Sequence, residues 1–437
     1  MLIVDTIIVV LALLLGIRKG GMAICFTCGA ALTFMVFVCG LRPTSPPIAV
    51  MLIILSVTSL GGVLQCSGGL EYLISIAERI LRRHPNFVTV LAPLITFLLV
   101  TFTGTAFMAM ALLPVIAEVS RGAGVRPERA LGSSSCAAVF GLVASPISAA
   151  TAALIAILAT YDVNIGKMML VLLPSLTIGV ILGGLSVYHY GLELPLDPEY
   201  QRRLQAGEIP TIAKKEDYVP SPKVKLAVGV FAMSILIIVL LGTFKGLLPH
   251  WTVKGKTISL SIVNVIELVC LTTSAILIYL CDVKTKLLTK SSVFLGGISG
   301  VMVCFGICFM SDTYFAAHKD EIIALFGGIL NSYPWMFAVV LAFVAAVMMS
   351  PGATTAALIP IGLSLGIPAP YLVAMFPAVC ANWIFPVHPN LIASVSLDST
   401  GSTSLGTWLF NHSSMRPGLV MLVSSICMSF VLVYFVF

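Results

Sequence analysis

Charged residues are scarce in this chain, 10% of 437 positions against about 25% in an average soluble domain. That scarcity excludes an ordinary hydrated surface over most of the molecule. Long hydrophilic stretches are just as rare: residues 191–223 form the only one, too short for a separate domain. No basic face carries interleaved aromatics, so the net charge of +6 does not indicate a nucleic-acid partner. The cations sit in short loops, where they orient a membrane protein. An HExxH motif is lacking, which excludes that class of zinc protease. The one loose pairing for a serine protease is Ser145 with His388. Of the eleven cysteines, Cys25 with Cys28 and Cys304 with Cys308 are the closest pairs, and both lie inside apolar runs. Neither has the second close pair or nearby His that a metal site needs, so they read as small apolar helix residues. No basic segment precedes the apolar run from Leu2, which reads as a retained first span rather than a cleaved signal. No cofactor or metal is expected.

Apolar residues are what the chain has in excess, 59% of the total with a mean hydropathy of +1.09. The lipid bilayer is therefore the expected surroundings of most of the surface. Spans of about 20 residues with short loops would allow roughly ten to twelve crossings. Apolar runs cover about 2–17, 21–40 and 48–66. Residues 70–84 differ, with Glu71, Glu78, Arg79, Arg82 and Arg83 on an otherwise Leu/Ile-rich helix that suits the membrane interface and ends at Pro85. Runs at about 86–102 and 105–119 follow, then 131–160 and 167–190. Beyond the linker come 224–247, 258–280 and 291–310, a polar segment from Ser311 to Glu321 that reads as the start of another interfacial helix, and short runs at 335–348, 355–366 and 370–383. A Gly/Ser/Thr-rich stretch from Asp398 to Thr407 precedes a last span near 418–437. Placing Arg18, Lys19, the Arg79 to Arg83 group, the linker and Lys284 to Lys290 in the cytoplasm puts both termini outside, with Lys245 and Lys254 running against this scheme.

Two stretches half a molecule apart share one design. FTGTAFMAMALLPVIAEV from Phe102 is followed by VASPISAAT from Val143, and MSPGATTAALIPIGLSLG from Met349 by IFPVHPNLIAS from Ile384. Each pairs a Gly/Thr/Ser tip between short apolar helices, read as a re-entrant hairpin, with a proline-broken polar segment. Lipid tolerates broken backbone only where protein buries it or a wet cavity adjoins it. Paired breaks in corresponding places are the best sequence pointer to a carrier's substrate site. The first half offers Thr103, Gly104, Thr105, Ser145, Pro146 and Ser148 as substrate-binding candidates. The second offers Ser350, Gly352, Thr354, Thr355, Pro386, His388 and Asn390.

Helix starts carry about half a positive charge and free N–H groups, so opposed breaks suit the two carboxylates of a short diacid. Neither motif contains Arg or Lys. A buried cation is costly to insert and would hold a dianion too tightly for release. The same groups also suit a neutral polar solute. His388 supports two readings, donation to a carboxylate or satisfaction of a freed carbonyl. Glu267, in the run at 258–280, is a candidate for proton or ion coupling, or a protonated packing residue.

The chain resembles the anaerobic C4-dicarboxylate transporter family, Dcu, in an ordered series of strings over nearly its whole length. They are GGLEYL (Gly68–Leu73), ERILRRHPNFVTVLAP (Glu78–Pro93), LPVIAEV (Leu113–Val119), SPISAA (Ser145–Ala150), SSVF (Ser291–Phe294), SDTYF (Ser311–Phe315), HPNLIASVSLDSTGSTSLGTW (His388–Trp408) and FNHSSMRPG (Phe410–Gly418). The resemblance implies a carrier exchanging fumarate, malate or aspartate for succinate across the bacterial inner membrane, with periplasmic termini. It also implies an inverted-repeat, elevator-type architecture; by analogy such carriers form homodimers. Family members can carry Tyr in place of His388 and an aliphatic residue in place of Glu267. The expected fold is an all-α polytopic membrane protein of two inverted repeats, 1–190 and 224–437, joined by a cytoplasmic linker at 191–223. A proton- or sodium-coupled symporter of dicarboxylates or related organic anions is the alternative.

Overall fold

The computed structural model describes residues 2–437 except 20, 21, 47, 160, 162, 210–217, 254, 255, 386, 387 and 408–410. The first half contains α1 (Leu2–Lys19), α2 (Ala23–Phe37), α3 (Ile48–Cys66), α4 (Gly69–Arg83), α5 (Val88–Thr103), α6 (Phe107–Gly122), α7 (Pro127–Ala144), α8 (Ala149–Leu158) and α9 (Ile165–Ser186). A short α10 (Pro198–Gln205) lies in the linker. The second half contains α11 (Pro222–Thr243), α12 (Ile262–Leu280), α13 (Ser292–Ser332), α14 (Met336–Met348), α15 (Pro351–Ser364), α16 (Ala369–Met375), α17 (Pro389–Leu397) and α18 (Met415–Val436). Among the described residues, eight helical stretches are long and apolar enough to cross a membrane, with three shorter apolar helices beside them. Their outer faces stay apolar, as the composition requires: Met233 on α11, Leu271 on α12 and Tyr434 on α18 are all exposed.

The element order is similar in the two halves: helix–tip–helix, then a broken helix, then one long helix. The long helices α9 and α18 lie against each other, closely enough that a Cβ added at Gly183 would sit 2.3 Å from Met421 Cγ. Small residues at such crossings let membrane helices approach. The main apolar core draws on both halves, with Phe97, Phe140 and Val143 in the same cluster as Leu372, Phe376 and Trp383. Packing is crossed at the breaks. The second tip's α15 lies on α8, and α17 lies on α6 and α7.

Three features depart from the expected pattern. The helix from Ser292 runs on through Ser311, where no Gly or Pro interrupts it, and breaks only at His318 (φ −115°, ψ 18°), so the second helix within α13 begins inside the polar segment but later than Ser311. There His318 Nε2 pairs with the buried Asp5 Oδ2 at 2.8 Å, tying α1 to the kink. The run at 370–383 is not one α-helix; α16 passes into a 3-10 helix over Phe376–Trp383. Finally, His250–Val253 and Lys256–Ser259 form a small antiparallel hairpin in an otherwise helical molecule.

The linker is partly helical and fastened to both halves. Asp197 caps α10, its Oδ1 accepting from Glu199 N at 3.0 Å and Tyr200 N at 3.1 Å, while its Oδ2 pairs with Arg126 Nη1 at 2.5 Å. Arg203 Nη1 donates to Ser399 O at 3.3 Å. In the same loop the buried Asp398 carboxylate gathers the Ser/Thr-rich stretch, accepting from Thr400 Oγ1 at 2.5 Å, Ser402 Oγ at 2.8 Å and Thr403 N at 2.7 Å. Outside the membrane-spanning segments, Arg202 and Arg203 hold the Glu199 carboxyl down at about 2.

Candidate functional site

Each tip is made by one left-handed residue. Gly104 ends α5 at φ 68°, its N–H donating to Val100 O at 2.8 Å. Met349 ends α14 at φ 52°, its N–H donating to Ala345 O at 2.9 Å. This conformation closes a helix and reverses the chain. Glycine adopts it freely, whereas a side chain pays about 1–2 kcal/mol in strain. After the tips, α6 begins at Ala106 and α15 at Ser350, whose Oγ accepts from Ala353 N at 3.3 Å. At the first break, Ser145 is extended and Pro146 prevents helix continuation; α8 restarts at Ser148, whose Oγ accepts from Thr151 N at 3.2 Å. At the second, α17 starts from an extended His388 with Pro389 in its first turn.

Both tips and both breaks meet at one cavity of about 350 Å³. The first tip contributes Gly104, Thr105 and Ala106, and the first break contributes Ser148 and Ala149. The second tip contributes Met349, Ser350 and Gly352, and the second break region contributes Asn382 and His388. Ile54, Val57 and Thr58 of α3 and Gly297, Gly300 and Cys304 of α13 complete the wall. The crossing is tight: a Cβ added at Gly352 would lie 3.5 Å from Ala149 Cβ, and one at Gly104 would lie 3.0 Å from Ile147 Cγ1. The residues that start α6, α8, α15 and α17 all line the cavity, so four helix N-termini come to one space. No Asp, Glu, Lys or Arg lines it among the described residues. With no charged side chain in the wall, the positive ends of the four helix dipoles favour an anion there.

Of the candidates, Gly104, Thr105, Ser148, Ser350, Gly352 and His388 line the cavity. Thr103, Thr354 and Thr355 are buried behind it, and each hydroxyl donates to the carbonyl one turn back: Leu99 O at 2.8 Å, Ser350 O at 2.9 Å and Pro351 O at 2.6 Å. A helical threonine has that acceptor always within reach. Ser145 is also set back, its Oγ accepting from Ile147 N at 3.4 Å, and Pro146 and Asn390 are buried without lining the cavity. Pro386 lies outside the described residues. Glu267 is half-buried on α12 and not part of the wall. Sequence reasoning missed Asn382, a single amide inside an apolar run, whose position depends on the 3-10 winding of that run.

The profile described as "Anaerobic c4-dicarboxylate membrane transporter" matches residues 1–437. The chain belongs to this family. It is 34% identical over 431 residues to "Anaerobic C4-dicarboxylate transporter DcuB" of Escherichia coli O6:H1, with 95% of each chain covered. It is 32% identical over 435 residues to "C4-dicarboxylate transporter DcuA" of Wolinella succinogenes, with 99% of each covered. Its fold is similar to that of the crystallised YdaH transporter of Alcanivorax borkumensis, at a TM-score of 0.51 and 16% identity over 93% of this chain and 88% of that one. That likeness bears on the fold alone. Membership of the Dcu family and the apolar helices make this chain a multi-pass transporter of the bacterial inner membrane, not an enzyme.

Proposed function

We propose that this Dcu-family chain carries C4-dicarboxylates such as fumarate, malate, aspartate and succinate, and that the cavity between the breaks is its substrate site. The carrying observation is the meeting of four helix N-termini at a cavity without charged side chains. Each carboxylate faces one tip and the break packed on it. Helix starts stabilise a dianion, and the absence of a fixed cation leaves binding weak enough for release. At about 350 Å³ the cavity is at the small end of ligand sites, which run from about 300 to 1,000 Å³.

The mode is exchange by alternating access. Residues 1–190 and 224–437 act as two inverted repeats, with 191–223 as a cytoplasmic linker. The site-bearing tips and breaks move as an elevator against a scaffold, quickly when loaded and slowly when empty. Counterflow in proteoliposomes tests this: labelled fumarate enters rapidly only when the lumen holds succinate or another C4 diacid. Uptake indifferent to lumenal substrate would rule out obligatory exchange. Net uptake that follows an imposed proton or sodium gradient, and is lost in Glu267→Gln, would establish ion-coupled symport instead.

A further inference from the structure

We infer that the Asn382 amide and an uncharged His388 ring donate two N–H groups to one carboxylate of the substrate. The inference rests on the substrate reading above and deepens it. Among the described residues of the wall, only Asn382 and His388 carry nitrogen in their side chains. They are 2% and 7% exposed. Neither side chain hydrogen-bonds to any described residue. Buried polar groups are almost always paired, so two unpaired ones at a cavity wall are suited to a ligand.

The atoms shut away decide which ends face the cavity. Asn382 Oδ1 and His388 Nδ1 are enclosed without a partner. An orphaned N–H inside a protein is rarer than an under-used acceptor. The enclosed atom of each side chain is therefore the acceptor, and the donor, Asn382 Nδ2 or His388 Nε2–H, is left for the cavity. A protonated His388 would carry a second N–H at Nδ1 with nothing to receive it. The ring thus acts uncharged and adds no fixed cation, in keeping with a dianion that must be released.

The fold leaves both side chains to this task. His388 stands at the start of α17 yet makes no capping bond to it. The carbonyl of Ile384, at the break, is paired with His412 Nε2 at 3.0 Å, so His388 is not needed there. Asn382 lies on the 3-10 run, which is held on both sides of it. Cys380 Sγ lies 3.7 Å from Val139 O, and the Trp383 ring fits against Gly418, where an added Cβ would be 2.7 Å away. Because α17 packs on α6, the helix that follows the first tip, the carboxylate the two residues share is the one between the second break and that tip.

The test is competition against tracer fumarate in succinate-loaded proteoliposomes of the full chain. A glutamine carries its amide nitrogen at the reach of an imidazole Nε2, and an asparagine at the reach of Nδ1. In His388→Asn the half-inhibitory concentrations of succinate and malate rise about tenfold or more, the worth of one hydrogen bond to a charged group, and in His388→Gln they rise less than about threefold. A packing role would not rank the two amides in this way. Asn382→Asp has the same shape with an acceptor in place of the donor. It raises both concentrations about tenfold or more, and serves if His388→Asn does not accumulate. Equal effects of His388→Gln and His388→Asn, or no effect of Asn382→Asp, overturn the inference. A wild-type protein that takes up no labelled fumarate brings down the substrate reading itself, whereas intact wild-type uptake with either of those results removes only the paired donors.

Discussion

Ser148 and Ser350 each do two things at once, capping a helix and facing the cavity. Replacing either by Ala leaves a helix-start N–H unpaired, which costs about 1 kcal/mol of stability, and weakens C4-dicarboxylate binding several-fold if the start faces a carboxylate. Thr354→Val serves as the contrast, because the Thr354 hydroxyl donates to Ser350 O and lies behind the wall. Counterflow rates normalised to membrane abundance should fall for Ser148→Ala and Ser350→Ala and stay near wild type for Thr354→Val. At this scale the sequence was half legible. Residue type marked the polar segments, but a hydroxyl one position further along a helix turns to its own backbone. Asn382 was hidden for a related reason, since its direction follows from winding that an apolar run does not announce.

The tips show how one element can be built from unlike residues. Gly104 and Met349 occupy the same left-handed place at the ends of α5 and α14. Gly104→Ala should lower the unfolding free energy by about 1–2 kcal/mol, from backbone strain, with its Cβ also pressing on Ile147. Met349→Gly removes the corresponding strain while making the unfolded chain more flexible, so stability should stay within about 1 kcal/mol. Thermal unfolding of the detergent-solubilised protein distinguishes the two, and equal losses would mean that the tips are not equivalent. The helices and their interruptions at Gly104 and Ser145-Pro146 were legible because Gly and Pro act locally. The extension of α13 to His318 was not, because its kink lies at the residue that pairs with Asp5, 313 positions away.

Over the whole molecule, the crossed packing of the halves makes the strongest physical claim. The second tip lies on the first break closely enough that Gly352 and Ala149, both changed to Cys, would have Cβ atoms about 3.5 Å apart, at the near edge of the range for a disulfide. In a variant whose other cysteines are replaced, mild oxidation of Ala149→Cys/Gly352→Cys should give an intramolecular bond, read as a mobility shift that reductant reverses. Succinate or fumarate occupying the cavity should slow its formation. Failure of the bond to form would contradict the packing of α15 on α8. The linker contributes at this scale as well, since its Asp197 pairs with Arg126, just before α7, and its Arg203 donates to Ser399 in the α17–α18 loop.

Read alone, the amino-acid order determined that the chain lives in lipid, where its helices run, and where they break. These are consequences of local chemistry: apolar length, the missing proline N–H and glycine's conformational freedom. Tertiary structure alone decided that breaks from opposite halves share one cavity, that Asn382 rather than Thr354 lies at its wall, and that α13 bends at His318. Those outcomes depend on contacts between residues hundreds of positions apart, for which periodicity and composition carry no signal.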